Sequence, residues 1–138
     1  EGAGVPQDYK TAVKWYRLAA EQGNANAQKK LKEIKTLLSS SPKEQRKLAS
    51  LEARKGNYKK ALNLLELASG NGDHIASWKL AGNYRGTLQG WGIKKDLREA
   101  RHYEKLAAEQ GSPSAQSFIN AITPWWKFWA FYGWWRFW

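Results

Sequence analysis

Few residues of this 138-residue chain have types and spacing that could support catalysis or metal binding. His74 and His102 are far apart along the chain, and we interpret both as solvated side chains. The segment from Ser40 to Lys43 matches a Ser-x-x-Lys string that can hold a serine nucleophile, but its companion motifs are missing. The chain has no cysteine, which excludes disulfides and thiolate metal sites.

Two glycine-rich stretches have the composition of phosphate-binding loops without their context. Gly2-Ala-Gly-Val and Gly90-Trp-Gly-Ile follow no predicted strand, and neither continues into a third glycine or a Lys-Ser/Thr pair. We therefore expect no catalytic residues, no cofactor and no metal, and we interpret the chain as a protein that is not an enzyme.

The charge of the chain indicates an anionic partner. Its formal net charge is +11, and the excess of Lys and Arg is spread over the whole length without a dense basic block. Such a surface favours acidic proteins, anionic lipid headgroups or nucleic acid. An equally favoured interpretation is a solvated helical surface on which lysine contributes only solubility.

The strongest pattern is an internal repeat. Residues 2–28 align without gaps with residues 90–116, and Trp15 corresponds to Tyr103. Twelve identities support the alignment: Gly2, Gly4, Asp8, Ala12, Leu18, Ala19, Ala20, Glu21, Gln22, Gly23, Ala27 and Gln28 recur as Gly90, Gly92, Asp96, Ala100, Leu106, Ala107, Ala108, Glu109, Gln110, Gly111, Ala115 and Gln116. A weaker third copy lies between them.

Each repeat contains the signals of a helical hairpin. Asp8 and Asp96 are predicted helix N-caps, and Glu99 completes a capping box with Asp96. A glycine with left-handed backbone is expected to end the helix at Gly23, at Gly111 and, in the third copy, at Gly72. Small residues and one aromatic share a face and should pack on neighbouring helices. The predicted helices are 8–22, 26–38, 42–55, 57–69, 75–86, 96–110 and 113–122.

These residues resemble the Sel1-like repeat, a relative of the tetratricopeptide repeat. The resemblance is carried by the stretches 2–28 and 76–116, which include two copies of Ala-Ala-Glu-Gln-Gly. It implies an all-α solenoid of stacked helical hairpins, a right-handed superhelix whose concave surface binds a protein or peptide partner.

The middle of the chain departs from this pattern and suggests how the chain is divided. Residues 43–70 lack the Gly-x-Gly loop and are closer to a plain tetratricopeptide hairpin. A serine run precedes Pro42 and predicts a break that offsets the first repeat from the others. We predict a partial first repeat with its following helix at 1–38, a linker at 39–43, repeats at 44–122 and an aromatic tail at 123–138.

The tail differs from everything before it. It contains six of the nine tryptophans, two basic residues and no acidic residue. As a helix it would be aromatic on all sides, which a surface helix exposed to water does not tolerate. Three destinations stay open: a membrane interface, a partner protein, or the last repeat, which the tail would cap. The predicted docking residues are Trp125, Trp126, Lys127, Phe128, Trp129, Trp134, Trp135, Arg136 and Trp138.

Together these features predict an adaptor that is not an enzyme. A protein or peptide would bind the repeats, and the tail would dock to an anionic membrane surface or a membrane complex. The alternative is a structural subunit whose tail is permanently buried in a larger assembly. Nucleic acid is the least favoured partner because no recognised motif accompanies the charge. Peripheral membrane association is favoured, without distinguishing the bacterial periplasm from the cytoplasm.

Overall fold

The fold is a series of antiparallel helices, as the repeat predicts. The computed structural model describes residues 9–87 and 91–122, which form seven α-helices and no strand. Every helix begins and ends within one residue of its predicted bounds. In chain order they are α1 Tyr9–Glu21, α2 Ala25–Ser39, α3 Pro42–Arg54, α4 Tyr58–Gly70, α5 His74–Arg85, α6 Leu97–Glu109 and α7 Pro113–Ile122. The chain is an all-α helical-repeat solenoid.

Helices α2, α3, α5 and α6 each begin after an N-cap side chain that accepts a backbone hydrogen bond. Ser41 and Glu44 form a complete capping box at the start of α3. Asp96 caps α6 as predicted, but the expected capping box with Glu99 is wrong. The backbone N–H of Asp96 donates instead to the carbonyl oxygen of Tyr84 at 2.9 Å, which ties the loop to the end of α5. The predicted cap Asp8 lies outside the described residues.

The predicted glycine turns are confirmed. Gly23, Gly72 and Gly111 have φ angles of 83°, 92° and 91°, in the left-handed region where a side chain is disfavoured. In the first of these turns the N–H of Asn24 donates to the carbonyl oxygen of Ala19 at 3.1 Å. This bond satisfies a carbonyl that the ended helix leaves free.

Helices α3 to α7 pack consecutively, and α3, α4 and α5 supply the buried residues of one apolar core. The core contains small residues as well as leucines, so that neighbouring helices approach closely. Its buried members are Ala49, Leu64, Leu65, Ala68, Ala76 and Leu80. An ion pair adds a polar link, because Arg46 Nε on α3 lies 2.8 Å from the carboxylate of Asp73, the N-cap of α5.

The first hairpin is joined to this stack mainly at the end of α2. Helices α1 and α2 pack on each other, whereas α2 and α3 do not pack side by side as the later consecutive helices do. Gln45 spans the break by donating to the carbonyl oxygens of Leu37 and Ser40 and accepting from Asn71. The division of the chain at residues 39–43 stays a prediction.

Trp15 does not fill the edge of a helix contact, and this expectation is wrong. Its side chain is 68% exposed. The corresponding Tyr103 packs on the core because its ring stacks on Tyr84 of the preceding helix, with ring centroids 5.7 Å apart. The described residues contain no helix before α1 that could give Trp15 an equivalent contact.

Candidate protein-interaction groove

Residues from α5, α6 and α7 line a groove of about 350 Å³, which we call the α5–α7 groove. Helices α5 and α7 both pack on α6, so that α6 holds the two helices beside each other. Trp78, Gly82 and Arg85 lie four and then three positions apart on α5, which places them on one helical face. The groove is therefore a direct product of helix stacking.

Two aromatic rings from different helices meet in this groove. The centroids of Trp78 on α5 and Phe118 on α7 lie 5.8 Å apart, with their planes inclined at 68°. This edge-to-face arrangement is favourable because the positive edge of one ring meets the negative face of the other. Both side chains remain partly exposed, so they present apolar surface to an incoming group.

A buried carboxylate fixes the position of the groove's arginine. The Glu104 side chain on α6 is only 3% exposed and forms an ion pair with Arg85, whose Nε lies 3.0 Å from Oε1. The guanidinium carbon of Arg85 lies 4.5 Å from the centroid of Phe118, a cation–π contact. Arg85 thus compensates the buried charge and also supports the aromatic surface.

Lys79 gives the groove a second cation. It is partly buried, lines the groove, and has no ion-pair partner among the described residues. Since Glu104 is engaged by Arg85, the charge available to a ligand in the groove is positive. The arrangement can hold an apolar group next to an anion.

A second cluster joins α4, α5 and α6 and has the opposite charge. The hydroxyl of Tyr84 donates to Glu66 Oε1 at 3.4 Å, and Tyr84 stacks on Tyr103. Burial is the largest influence on the pKa of Glu66 and raises it. The hydrogen bond from Tyr84 lowers this pKa, and the nearby Glu99 carboxylate raises it. Burial, with a contribution from Glu66, raises the pKa of Tyr84 to about 12. Burial also raises the pKa of Tyr103.

The positive charge is not spread evenly over the chain as expected, because most of the excess lies in α2, α3 and the start of α4. Residues 25–60 contain eleven Lys and Arg and three Glu, so much of the net charge belongs to this part of the chain. The buried carboxylate of Glu52 pairs with the exposed Lys55 and Lys60 at 3.3 and 3.4 Å. The bond from Asn57 is the largest influence that lowers the pKa of Glu52. Most of the remaining lysines face solvent.

The docking residues predicted from sequence belong to another part of the chain. All nine, from Trp125 to Trp138, lie outside the described residues. The groove residues Trp78, Lys79, Arg85 and Phe118 were not predicted from sequence as site residues. One signal was available, because Trp78 and Arg85 are seven positions apart on a predicted helix and Phe118 is the one aromatic residue of α7.

Metal-ligand clusters and membrane-spanning helices are absent from the described part of the chain. Across residues 9–87 and 91–122, no three His, Asp or Glu side chains are grouped as metal ligands. No described helix is both long and apolar enough to cross a bilayer. His102 contacts the ring of Tyr103 edge-on, with centroids 5.1 Å apart.

The comparison with known proteins agrees with the repeat seen in the sequence and in the helices. The model of the Sel1 repeat family matches residues 1–24, 46–73 and 74–112. The match at 46–73 includes the stretch that lacks a Gly-x-Gly loop, so this degenerate copy also fits the family. No solved structure matches the chain. Since the three matches cover more than half of its length, the chain belongs to the Sel1 repeat family.

Proposed function

We propose that this protein is a non-catalytic adaptor that binds a protein segment in the α5–α7 groove and docks through its tryptophan-rich tail to a membrane interface. Sel1 repeats generally mediate protein–protein interaction, and the family is typically non-catalytic. The binding of a protein segment is supported by one observation, a groove lined by Trp78, Arg85 and Phe118. Tryptophan and arginine are the residue types most enriched among the residues that dominate binding energy at interfaces.

The groove is suited to binding because its side chains are held before a ligand arrives. Arg85 is fixed by Glu104 and by the ring of Phe118, and Phe118 also contacts Trp78. A preorganised surface loses less conformational entropy on binding than a flexible one. The repeat therefore offers an arranged binding surface on its last three described helices.

The proposed role of the tail rests on its composition. Tryptophan and tyrosine are favoured at the boundary between lipid headgroups and acyl chains, and Lys127 and Arg136 can reach anionic headgroups. Burial at about 25 cal/mol per Å² over several indole rings would stabilise binding by many kcal/mol. That area is more than a terminal cap on one repeat can use.

Vesicle binding tests this role. We expect the full chain to co-sediment with vesicles of mixed phosphatidylcholine and phosphatidylglycerol, with a blue shift of tryptophan emission. A full-length variant with Trp125, Trp126 and Trp129 changed to Ala should bind weakly. A chain ending at Ile122 should stay in solution with the helix content of α1 to α7 unchanged.

Two other results would contradict the membrane proposal. If the chain ending at Ile122 loses the fold of α7, the tail caps the repeats. If the full chain does not bind vesicles and is stable only when purified with other subunits, the protein is instead a structural subunit with a permanently buried tail.

A further inference from the structure

We infer that the α5–α7 groove binds a protein segment in which a large apolar side chain stands next to an acidic residue. The apolar side chain would contact Trp78 and Phe118, and the carboxylate would pair with Lys79. This inference rests on the proposed function, since it names the chemistry of the partner segment for the same groove.

The residues that line the groove indicate that the ligand has a large apolar side chain. The rings of Trp78 and Phe118 are both partly exposed, and the small residues Ala81 and Gly82 leave room beside them. A volume of about 350 Å³ lies at the lower end of the range in which proteins enclose small ligands. That space suits one large side chain with its adjoining backbone.

The charges of the groove side chains indicate that the ligand has an acidic residue. Glu104 is the one carboxylate among the described lining residues, and it is buried against Arg85. Lys79 lines the same space without an ion-pair partner among the described residues. A ligand carboxylate would complement this ammonium group, whereas a ligand cation would meet two positive side chains.

Charge complementarity also decides against the tail of this chain as the occupant, whether from the same molecule or from a second copy. The tail is as aromatic as the groove requires, but residues 123–138 carry two cations and no acidic side chain. An acidic partner segment would in addition be attracted over a distance by a chain of net charge +11.

The test uses the full chain and three short fluorescein-labelled peptides with blocked ends. One has phenylalanine between two aspartates, the second has phenylalanine between two lysines, and the third has alanine between two aspartates. Fluorescence anisotropy should show binding of the first peptide alone, and added salt should weaken it because the ion pair is screened.

A charge-reversal variant tests whether Lys79 selects the ligand. Lys79→Glu should weaken binding of the aspartate–phenylalanine peptide about tenfold or more, since an attraction becomes a repulsion. The same variant should gain binding of the lysine–phenylalanine peptide, which a merely destabilised protein would not do. Lys59→Glu is the matched control, because this exposed lysine of α4 makes the same charge change away from the groove.

Several results would overturn the inference. Equal binding of the aspartate and lysine peptides, or an equal loss in Lys79→Glu and Lys59→Glu, would exclude selection by Lys79 and leave the groove's role in the proposed function intact. If the alanine peptide binds as well as the phenylalanine peptide, the aromatic contact is wrong. If no peptide binds a chain with an unchanged circular dichroism spectrum and melting temperature, the groove is not the binding site and the proposed function fails with it.

Discussion

The last turn of α1 and of α6, with the residues that follow it, has the same sequence, Leu-Ala-Ala-Glu-Gln-Gly at 18–23 and 106–111, yet the two copies have different surroundings. The side chain of Leu18 is 51% exposed, whereas Leu106 is partly buried. Ala107 is completely buried and Ala19 only partly so. Identical local sequence therefore does not lead to identical burial.

The two glutamines of this segment show how neighbours cause the difference. Gln110 donates to the carbonyl oxygen of Ser69 at 2.8 Å and accepts from the hydroxyl of Ser77 at 2.6 Å, which joins α6 to α4 and α5. Gln22 is exposed. The turns themselves are alike, with φ angles of 83° at Gly23 and 91° at Gly111. Local sequence determines the turn, and the stacked neighbours determine burial.

The largest difference is expected between Tyr103 and Trp15. Tyr103→Ala removes a ring that packs on the core and on Tyr84, so it should lower the free energy of unfolding by about 3 kcal/mol. Trp15→Ala removes an exposed ring and should cost under about 0.5 kcal/mol. Urea denaturation followed by far-UV circular dichroism measures both, and equal losses would show that α1 is as tightly packed as α6.

A smaller contrast is expected when alanine is enlarged. Ala107→Leu forces extra volume into a site with no exposed surface and should cost about 2 kcal/mol. Ala19→Leu, its counterpart in α1, should cost under about 1 kcal/mol because the side chain can turn towards solvent. Thermal melts of the two variants compare them directly, and a parent-like Ala107→Leu would refute the proposed packing face.

The two turn glycines, unlike the residue pairs compared above, are expected to have equal effects on stability. Gly23→Ala and Gly111→Ala each place a Cβ at positive φ, where the strain is in the backbone, and neither Cβ would meet an atom within 4 Å. Each should cost about 1 kcal/mol. A large difference between them in urea denaturation would mean that surroundings, and not turn geometry, set the requirement for glycine.

The smallest effect is a pH dependence that arises from Tyr84 of α5, whose ring stacks on Tyr103 of α6. Tyr84 keeps its proton in the folded state up to about pH 12, whereas in the unfolded chain it ionises near 10.0. The unfolded state therefore binds fewer protons between these values, and the free energy of unfolding should fall as the pH rises through this range. Tyr84→Phe should reduce the slope, and Trp15→Ala should leave it unchanged.

The helices and turns could be predicted from sequence because their causes are local. Ser41, Asp96 and the turn glycines act on backbone within a few residues of themselves. The capping box expected at Glu99 was wrong because a distant group, the carbonyl oxygen of Tyr84, takes the N–H of Asp96.

The groove could not be predicted in the same way. Phe118 and Arg85 are 33 positions apart and meet only because α5 and α7 pack on the same helix. The repeat alignment ends at residue 116, before Phe118. It therefore gave no indication that Phe118 contacts Trp78. The docking role of Trp125 to Trp138 stays a prediction.

The adaptor account requires that one molecule holds a peptide and a membrane at the same time. The direct measurement is flotation of phosphatidylcholine–phosphatidylglycerol vesicles with the labelled aspartate–phenylalanine peptide. The full chain should carry the peptide to the vesicle fraction, Lys79→Glu should float without it, and the chain ending at Ile122 should leave both protein and peptide in solution. Flotation of the full chain without peptide, at peptide concentrations that saturate the groove in solution, would contradict the account.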